Sequence, residues 1–445
     1  MKKTILILTG VLCCHLALQA QEAEKKTVSQ YYRNALTSMM VYHPEDEFGY
    51  DVYQIFKDLP PEDKYDMHDV DLRVLDNSKI TGVAKHKGNG LHRQTYGSSI
   101  VLTAEEKQAN ADAMLELMNK ADIGKRIVAK WFNLTGETLQ DARFSTKLIE
   151  DRSDYNASVL DVEKARFTVE GMAALRNVSE ELISHSFVLV SDMTYITAED
   201  RADAAKTTFA VLGGLLDALS GGNAGRRLAE DVGDIADKFT GFKVMTHTYL
   251  FQLEWDDSIS NIFYDKYYTA EPNPERIAAF IKDNSSFRLT YLGTESSNYE
   301  KTKVAGKYNR EDLLQMITVR SIDKNIAKLQ KRFEAFRVKA PITAIEYNPK
   351  KGTPTGFRAM IGEKEGVEDD MKFEVLECKM VKGKIEYRRV AVLKPVKNRI
   401  WDNRFNALIE NDKDGETEGT LFRIDGDKTK ANDIVPGMLI RQING

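Results

Sequence analysis

The 445-residue chain has three cysteines and ten prolines, and Cys13 and Cys14 fall within its first fourteen residues. If that segment is removed, only Cys378 remains, so no intramolecular disulfide can form and a disulfide-stapled fold is excluded. Cys378 lies in Phe373-Glu-Val-Leu-Glu-Cys-Lys-Met with no histidine nearby in sequence, which reads as a structural cysteine on a strand and not as a thiol nucleophile. No apolar run is long enough for a membrane span. The Gly and Pro content is too low for a collagen-like or low-complexity chain, and 42% hydrophobic residues are too many for a disordered one. Catalytic signatures are missing as well. There is no G-x-S-x-G elbow, H-E-x-x-H, C-x-x-C, Walker loop or G-x-G-x-x-G. No cofactor is expected.

The N-terminus has the order of an export signal. Met1-Lys2-Lys3 is followed by a mostly apolar run from Thr4 to Ala17 and then by Leu18-Gln19-Ala20. Cleavage after Ala20 would leave 63 − 2 = 61 basic and 68 acidic residues, a net charge of −7. That mild acidity argues against nucleic acid as the partner. Neither Cys13 nor Cys14 follows a small residue in the way lipidation requires. The short Lys-Lys start and the Leu-Gln-Ala-Gln-Glu junction resemble those of exported proteins of the Bacteroidota. The resemblance implies a secreted, periplasmic or outer-membrane-associated envelope protein.

Local patterns predict an α+β fold, with a mixed sheet flanked by long helices over 21–340 and a β-rich domain over 341–445. A helix is expected over 28–42 from Leu36, Met39 and Met40. Irregular structure is expected over 42–72 and a loop or hairpin over 76–98. Thr103 and Glu106 form a capping-box pattern ahead of a helix over 104–132. Residues 144–151 read as a strand and 159–183 as a helix. Ser186–Thr197, Phe242–Glu254 and Ser286–Leu292 read as strands. A second long helix over 310–338 is expected to stop at Pro341. Beyond it, strands at 373–380, 385–393, 421–425 and 438–442 alternate with turns, as in a small barrel or sandwich. Gly366 to Val375, the hairpin after it and the final Gly-Met-Leu-Ile strand resemble the small β-barrel modules that end some envelope-assembly proteins.

One segment stands out. Residues 205–237 read AKTTFAVLGGLLDALSGGNAGRRLAEDVGDIAD, with small residues every four at Ala210, Gly214, Ala218 and Gly222, and again at Gly225, Ala229 and Gly233. That spacing places them on one helix face, where backbones can approach closely. Ser220–Ala224 is a turn signal, so a helical-hairpin insertion is expected over 199–240. Each interior helical glycine costs about 1 kcal/mol relative to alanine, and close packing is the gain that offsets it. The packing partner is either the chain's own domain or something outside it: a second copy, an envelope protein or a membrane surface.

Other candidate sites are weaker. His68, Asp69 and Asp71 have a ligand-like spacing, but the bland reading is a solvated acidic segment, and no metal is assigned. His247 reads as a sheet histidine. Asp412-Lys-Asp414-Gly415 lacks the terminal acid of a calcium loop and reads as a turn. Acid pairs such as Asp256-Asp257 after Trp255 could house a glycosidase dyad, which is defined by spatial separation and not by sequence. Trp255, Tyr267 and Trp401 could form a glycan or ligand platform if exposed. Three function classes follow: a non-enzymatic exported envelope protein acting by protein–protein or membrane-surface association, an exported hydrolase with a carboxylate pair, and a secreted glycan- or ligand-binding module.

Overall fold

The computed structural model describes residues 34–59, 62, 64–81, 90–93, 102–134, 136–153, 180–197, 241–302, 309–381, 384–407 and 419–443. The expected hairpin over 199–240, with all seven of its small-residue positions, lies outside the described residues, as do the signal segment and the 412–415 turn.

The N-terminal unit begins with strand β1 (Ala35–Tyr42), helix α1 (Gly49–Lys57) and the short strands β2 (Asp66–Met67) and β3 (Val74–Asp76). Helices α2 (Ala104–Lys120), α3 (Ile123–Trp131), α4 (Gly136–Gln140) and α5 (Lys147–Ser153) follow. Then come the long strands β4 (Ser186–Thr197) and β5 (Gly241–Leu253), helices α6 (Asp257–Ile262) and α7 (Pro274–Lys282), strand β6 (Leu289–Thr302) and helix α8 (Arg310–Arg332). The sheet runs β2-β1-β4-β5-β6, and β3 also pairs with β1. It is mixed: β1 is parallel to β2, β3 and β4, whereas β4, β5 and β6 are antiparallel neighbours.

Strand alternation sorts the core into two layers. Met39 and Val41 of β1, Val188 and Val190 of β4, and Tyr249 and Phe251 of β5 face the core beneath α2 and α3. Leu36, Met40, Phe187, Leu189, Val244 and Leu250 face the core beneath α1 and α8. Because both faces of β1 are covered, its sequence ALTSMMVY is apolar almost throughout. This is why a helix over 28–42 was the wrong expectation. Leu36, Met39 and Met40 match helical spacing, but a doubly buried strand satisfies the same spacing.

The capping box at Thr103 forms as predicted, with Thr103 Oγ1 accepting from the Glu106 N–H and Glu106 Oε2 accepting from the Thr103 N–H. The helix is not continuous to 132. Asp122 takes left-handed dihedrals (φ 56°), a conformation Asp tolerates better than most residues, and divides it into α2 and α3. The strand expected at 144–151 is instead helix α5. Phe144 plugs an aromatic cluster with Phe132, Phe263 and Phe280, and the turn after it starts the helix. Helix α8 ends at Arg332, well before Pro341, which sits inside strand β7 (Lys339–Tyr347) and belongs to the next unit.

That unit is a closed antiparallel barrel. Strands β7, β8 (Pro354–Ala359), β9 (Phe373–Val381), β10 (Lys384–Pro395), β11 (Thr420–Ile424) and β12 (Leu439–Gln442) close in the order β10-β11-β8-β7-β12-β9. Ile342, Phe357, Val375, Leu393, Phe422 and Ile440 fill its interior. Strands β7 and β8 complete the closure, although neither was expected from the sequence. Side chains of α8 and of the segment after it bond to main-chain carbonyls of the barrel unit: the Arg320 guanidinium donates to the Phe405 carbonyl (Nη2, 2.7 Å), and Arg337 Nη1 donates to the Gln442 carbonyl (3.2 Å).

Candidate functional site

The carboxyl ends of parallel strands are where open α/β sheets present ligand crevices, because the chain leaves the sheet there in loops. In this protein β1 and β4 run parallel, and the segment after β1, His43 to Gly49, closes over the end of β4. A pocket of about 280 Å³ lies there, lined by Met40, His43, Asp46, Phe48, Met193 and Tyr195 among others.

His43 and Asp46 in its lining belong to an ionic network that continues behind the wall to Arg93 and Asp192. His43 Nε2 lies 2.7 Å from Asp192 Oδ1, and both side chains are almost completely buried. Arg93 grips Asp46 with two bonds (Nη1–Oδ1 2.9 Å, Nη2–Oδ2 2.6 Å), and its Nη2 also donates to the Met193 carbonyl and to Thr194 Oγ1. Arg93 Nε is 3.9 Å from Asp192 Oδ1, close enough for attraction but too far for a hydrogen bond. The Asp192 carboxyl feels opposing effects. Burial disfavours its charge, but the attraction and hydrogen bond of His43, with the charges of Arg93 and His247, outweigh burial and hold it at about 2. Asp192 is therefore a fixed anion at neutral pH.

The network continues across the sheet. Asp192 of β4 is the register partner of His247 on β5, and His247 is the register partner of Ser296 on β6. His247 Nδ1 lies 2.7 Å from Ser296 Oγ, and its buried Nε2 has no hydrogen-bond partner among the described residues. Burial pushes the His247 imidazole below its usual value, against the pull of Asp192. A serine, a histidine and an aspartate side by side are the ingredients of nucleophilic catalysis. The pocket lining includes neither His247 nor Ser296.

The pocket shares its end of the sheet with the departure point of the 198–240 segment. Thr197 and Phe242 are register partners, so the two ends of that segment are held side by side. Phe48, in the pocket wall, meets Phe242 edge-on (centroids 5.4 Å), and the Arg310 guanidinium lies 5.5 and 5.3 Å from the two ring centres.

The aromatic platform expected from Trp255, Tyr267 and Trp401 is not assembled. Trp255 and Tyr267 are buried in the aromatic cluster around Phe263 and Phe287, and the Tyr267 hydroxyl donates to Asp283 (2.8 Å). Strand-end aromatics are covered here because α6, α7 and the turn between them fold back over the sheet. Trp401 is half-buried in the barrel unit, with its carbonyl accepting from the Glu363 N–H. Asp256 caps α6 by accepting from the Ile259 N–H, which is a structural task for an acid of the expected pair. His68 is not in a solvated segment. It is buried against Trp131, bonds to the Ile127 carbonyl (3.0 Å), and is pushed down to about 3 by burial, so it is neutral. Among the described residues no group of three or more His, Cys, Asp and Glu is placed to hold a metal ion. No described helix is long and apolar enough to cross a membrane.

Motif reasoning overlooked His43, Asp46, Arg93 and Asp192, which come from three separate stretches of chain: the loop after β1, the segment at 90–93 and strand β4. One signal was present: Asp192 is the only acid in the apolar run SFVLVSDMTYIT, and an acid buried in a central strand requires a partner. No protein-family model matches the chain, and no curated protein matches it significantly.

Proposed function

We propose that this chain is a non-enzymatic exported envelope protein that acts by association, and that the carboxyl end of its mixed sheet is the working face. The observation that carries this reading is the pairing of Thr197 with Phe242. It anchors both ends of the Gly/Ala-rich segment on two long neighbouring strands of the sheet, β4 and β5, near a pocket whose His43 is held by the buried Asp192. A rigid base under a segment of closely spaced small residues suits close contact with a second backbone, from another copy or from an envelope partner. The barrel adds a second folded unit fixed to α8.

The hydrolase reading finds less support at this site. A general acid needs a carboxyl held up near neutrality, and Asp192 is held down at about 2 by His43 and Arg93 despite its burial. The ligand-module reading loses its platform once Trp255 and Tyr267 are core residues.

The deciding experiment compares membrane partition and native mass of the exported protein with those of a version lacking 204–238. Association that survives a high-salt wash and vanishes with the deletion supports the reading. A soluble monomer in both versions overturns it.

A further inference from the structure

Helix α8 carries Arg320, Lys324, Lys328 and Lys331 at spacings of four, four and three, which places them along one face. This face is not simply solvated. It forms one wall of a cleft of about 570 Å³ between α8 and the barrel unit, whose turn at Glu363–Asp369 and residues Ile400 and Arg404 form the other wall. The contact beside the cleft is tight. A Cβ built on Gly366, whose φ is +72°, would lie 2.9 Å from the Ala327 methyl group. Six basic residues line the cleft against four acidic ones, leaving 6 − 4 = +2.

Most of these charges already have partners. Lys331 pairs with Glu368 (3.4 Å), Lys364 with Glu62 (3.1 Å), and Arg404 with Asp402 (2.7 Å) and Glu363 (3.1 Å). The Arg320 guanidinium is committed to the Phe405 carbonyl and the Tyr299 hydroxyl. Lys324 and Lys328 differ. Each ammonium donates to a main-chain carbonyl, of Asn298 and Ser296 respectively, and neither has an ion pair among the described residues. An ammonium has three donors, so both keep donors to spare. Burial and the neighbouring charges of Lys324 and Lys107 push the Lys328 ammonium below its usual value. Glu295 pulls the other way but is itself paired with Arg332 (3.2 Å). Two like charges one helical turn apart destabilise each other, and an anion between them would relieve this.

We infer that the cleft between α8 and the barrel binds a phosphate-bearing small molecule, with Lys324 and Lys328 holding the phosphate. A compact ammonium pair suits a dianion with several acceptor oxygens. The cleft is far larger than a bare ion and falls within the range typical of small-molecule sites, so the phosphate is the charged end of a larger ligand. Ile400, Val367 and the Tyr299 ring supply apolar wall for the remainder. The same headgroup chemistry occurs in soluble phosphorylated compounds and in phospholipids, and the test separates the two sources.

Pyrophosphate is titrated calorimetrically into the full chain at physiological ionic strength, with citrate as a non-phosphate polyanion. The expected result is saturable binding that weakens roughly tenfold or more in K324Q/K328Q, as loss of charged hydrogen bonds predicts. Lys324 is exposed, so K324Q alone folds and should show a smaller loss. No saturable binding, equal affinity in wild type and K324Q, or citrate binding as tightly as pyrophosphate overturns the inference. Vesicles of phosphatidylcholine with phosphatidic acid give the second arm. Capture that pyrophosphate competes away assigns a lipid headgroup, and pyrophosphate binding without vesicle capture assigns a soluble ligand. Either result supports the cleft.

Discussion

His43 and Asp192 stand 149 residues apart in the chain, yet their side chains meet at 2.7 Å inside the protein, with 3% and 2% of their side-chain surface exposed. The bond joins the loop after β1 to the centre of β4. It fixes one wall of the pocket without the flexibility of an exposed ion pair.

Asp192→Asn should therefore destabilise the fold severely. The substitution leaves Arg93 Nε and the His43 ring facing a neutral amide in a buried site, and breaking such a pair costs roughly 3–5 kcal/mol. Urea denaturation at neutral pH measures it. A loss below about 1 kcal/mol would show that the pair contributes little.

The same group predicts acid sensitivity. Its carboxyl is held at about 2 in the folded chain against an ordinary 3.8, so the unfolded chain takes up the proton first as pH falls. The stabilisation is complete above the unfolded value and is lost between about pH 4 and pH 2, worth on the order of 2 kcal/mol. The stability gap between wild type and Asp192→Asn should narrow across that window. A gap that stays constant from pH 5 to pH 2 counts against the ionic account.

Gly124→Ala tests the packing of α3 on the segment before β6. Helix propensity alone favours alanine by about 1 kcal/mol. The new Cβ, however, would lie 2.5 Å from the Phe287 carbonyl oxygen, which belongs to the main chain and cannot swing aside. A net loss of about 1–3 kcal/mol is expected, read as a lower melting temperature. A higher melting temperature would mean that the contact yields.

Arg320→Ala removes the guanidinium that joins α8 to the Phe405 carbonyl. Scanning calorimetry should show one cooperative transition in the wild type and a separate barrel transition in the variant. A single unchanged transition in the variant would show that other contacts, such as Arg337 with Gln442, Arg441 with Glu334 and Lys331 with Glu368, suffice to couple the units.

Gly214→Leu combined with Gly222→Leu tests the association reading without deleting chain. Leucine side chains on a small-residue face block close backbone approach, so native mass or membrane partition should fall markedly. Wild-type behaviour in the double variant removes these positions from the working face.

Several elements were legible because their signals are local. Thr103 with Glu106 marks the start of α2, since the capping box depends on four consecutive residues. Ser186–Thr197 and the strand around His247 are apolar over a length only a central strand explains. The barrel's later strands are separated by turn residues such as Gly426. Where reading failed, the local signal was degenerate. Leu36, Met39 and Met40 fit a helix and a doubly covered strand equally. Pro341 looked like a helix stop, but it lies in β7 opposite Leu439 on β12.

By itself the sequence determined the α+β class, the mixed composition of strands and helices, the main strands and the start of the long helices, because periodicity and capping act over a few residues. Only the tertiary structure decided which side chains meet. His43, Arg93, Asp46 and Asp192 gather where β1 leaves its parallel pairing with β4. Trp255 and Tyr267 are drawn into the core, and the α8 lysines face a cleft that exists only once the barrel docks. Those relationships depend on strand order and domain contact, and no stretch of chain holds both partners.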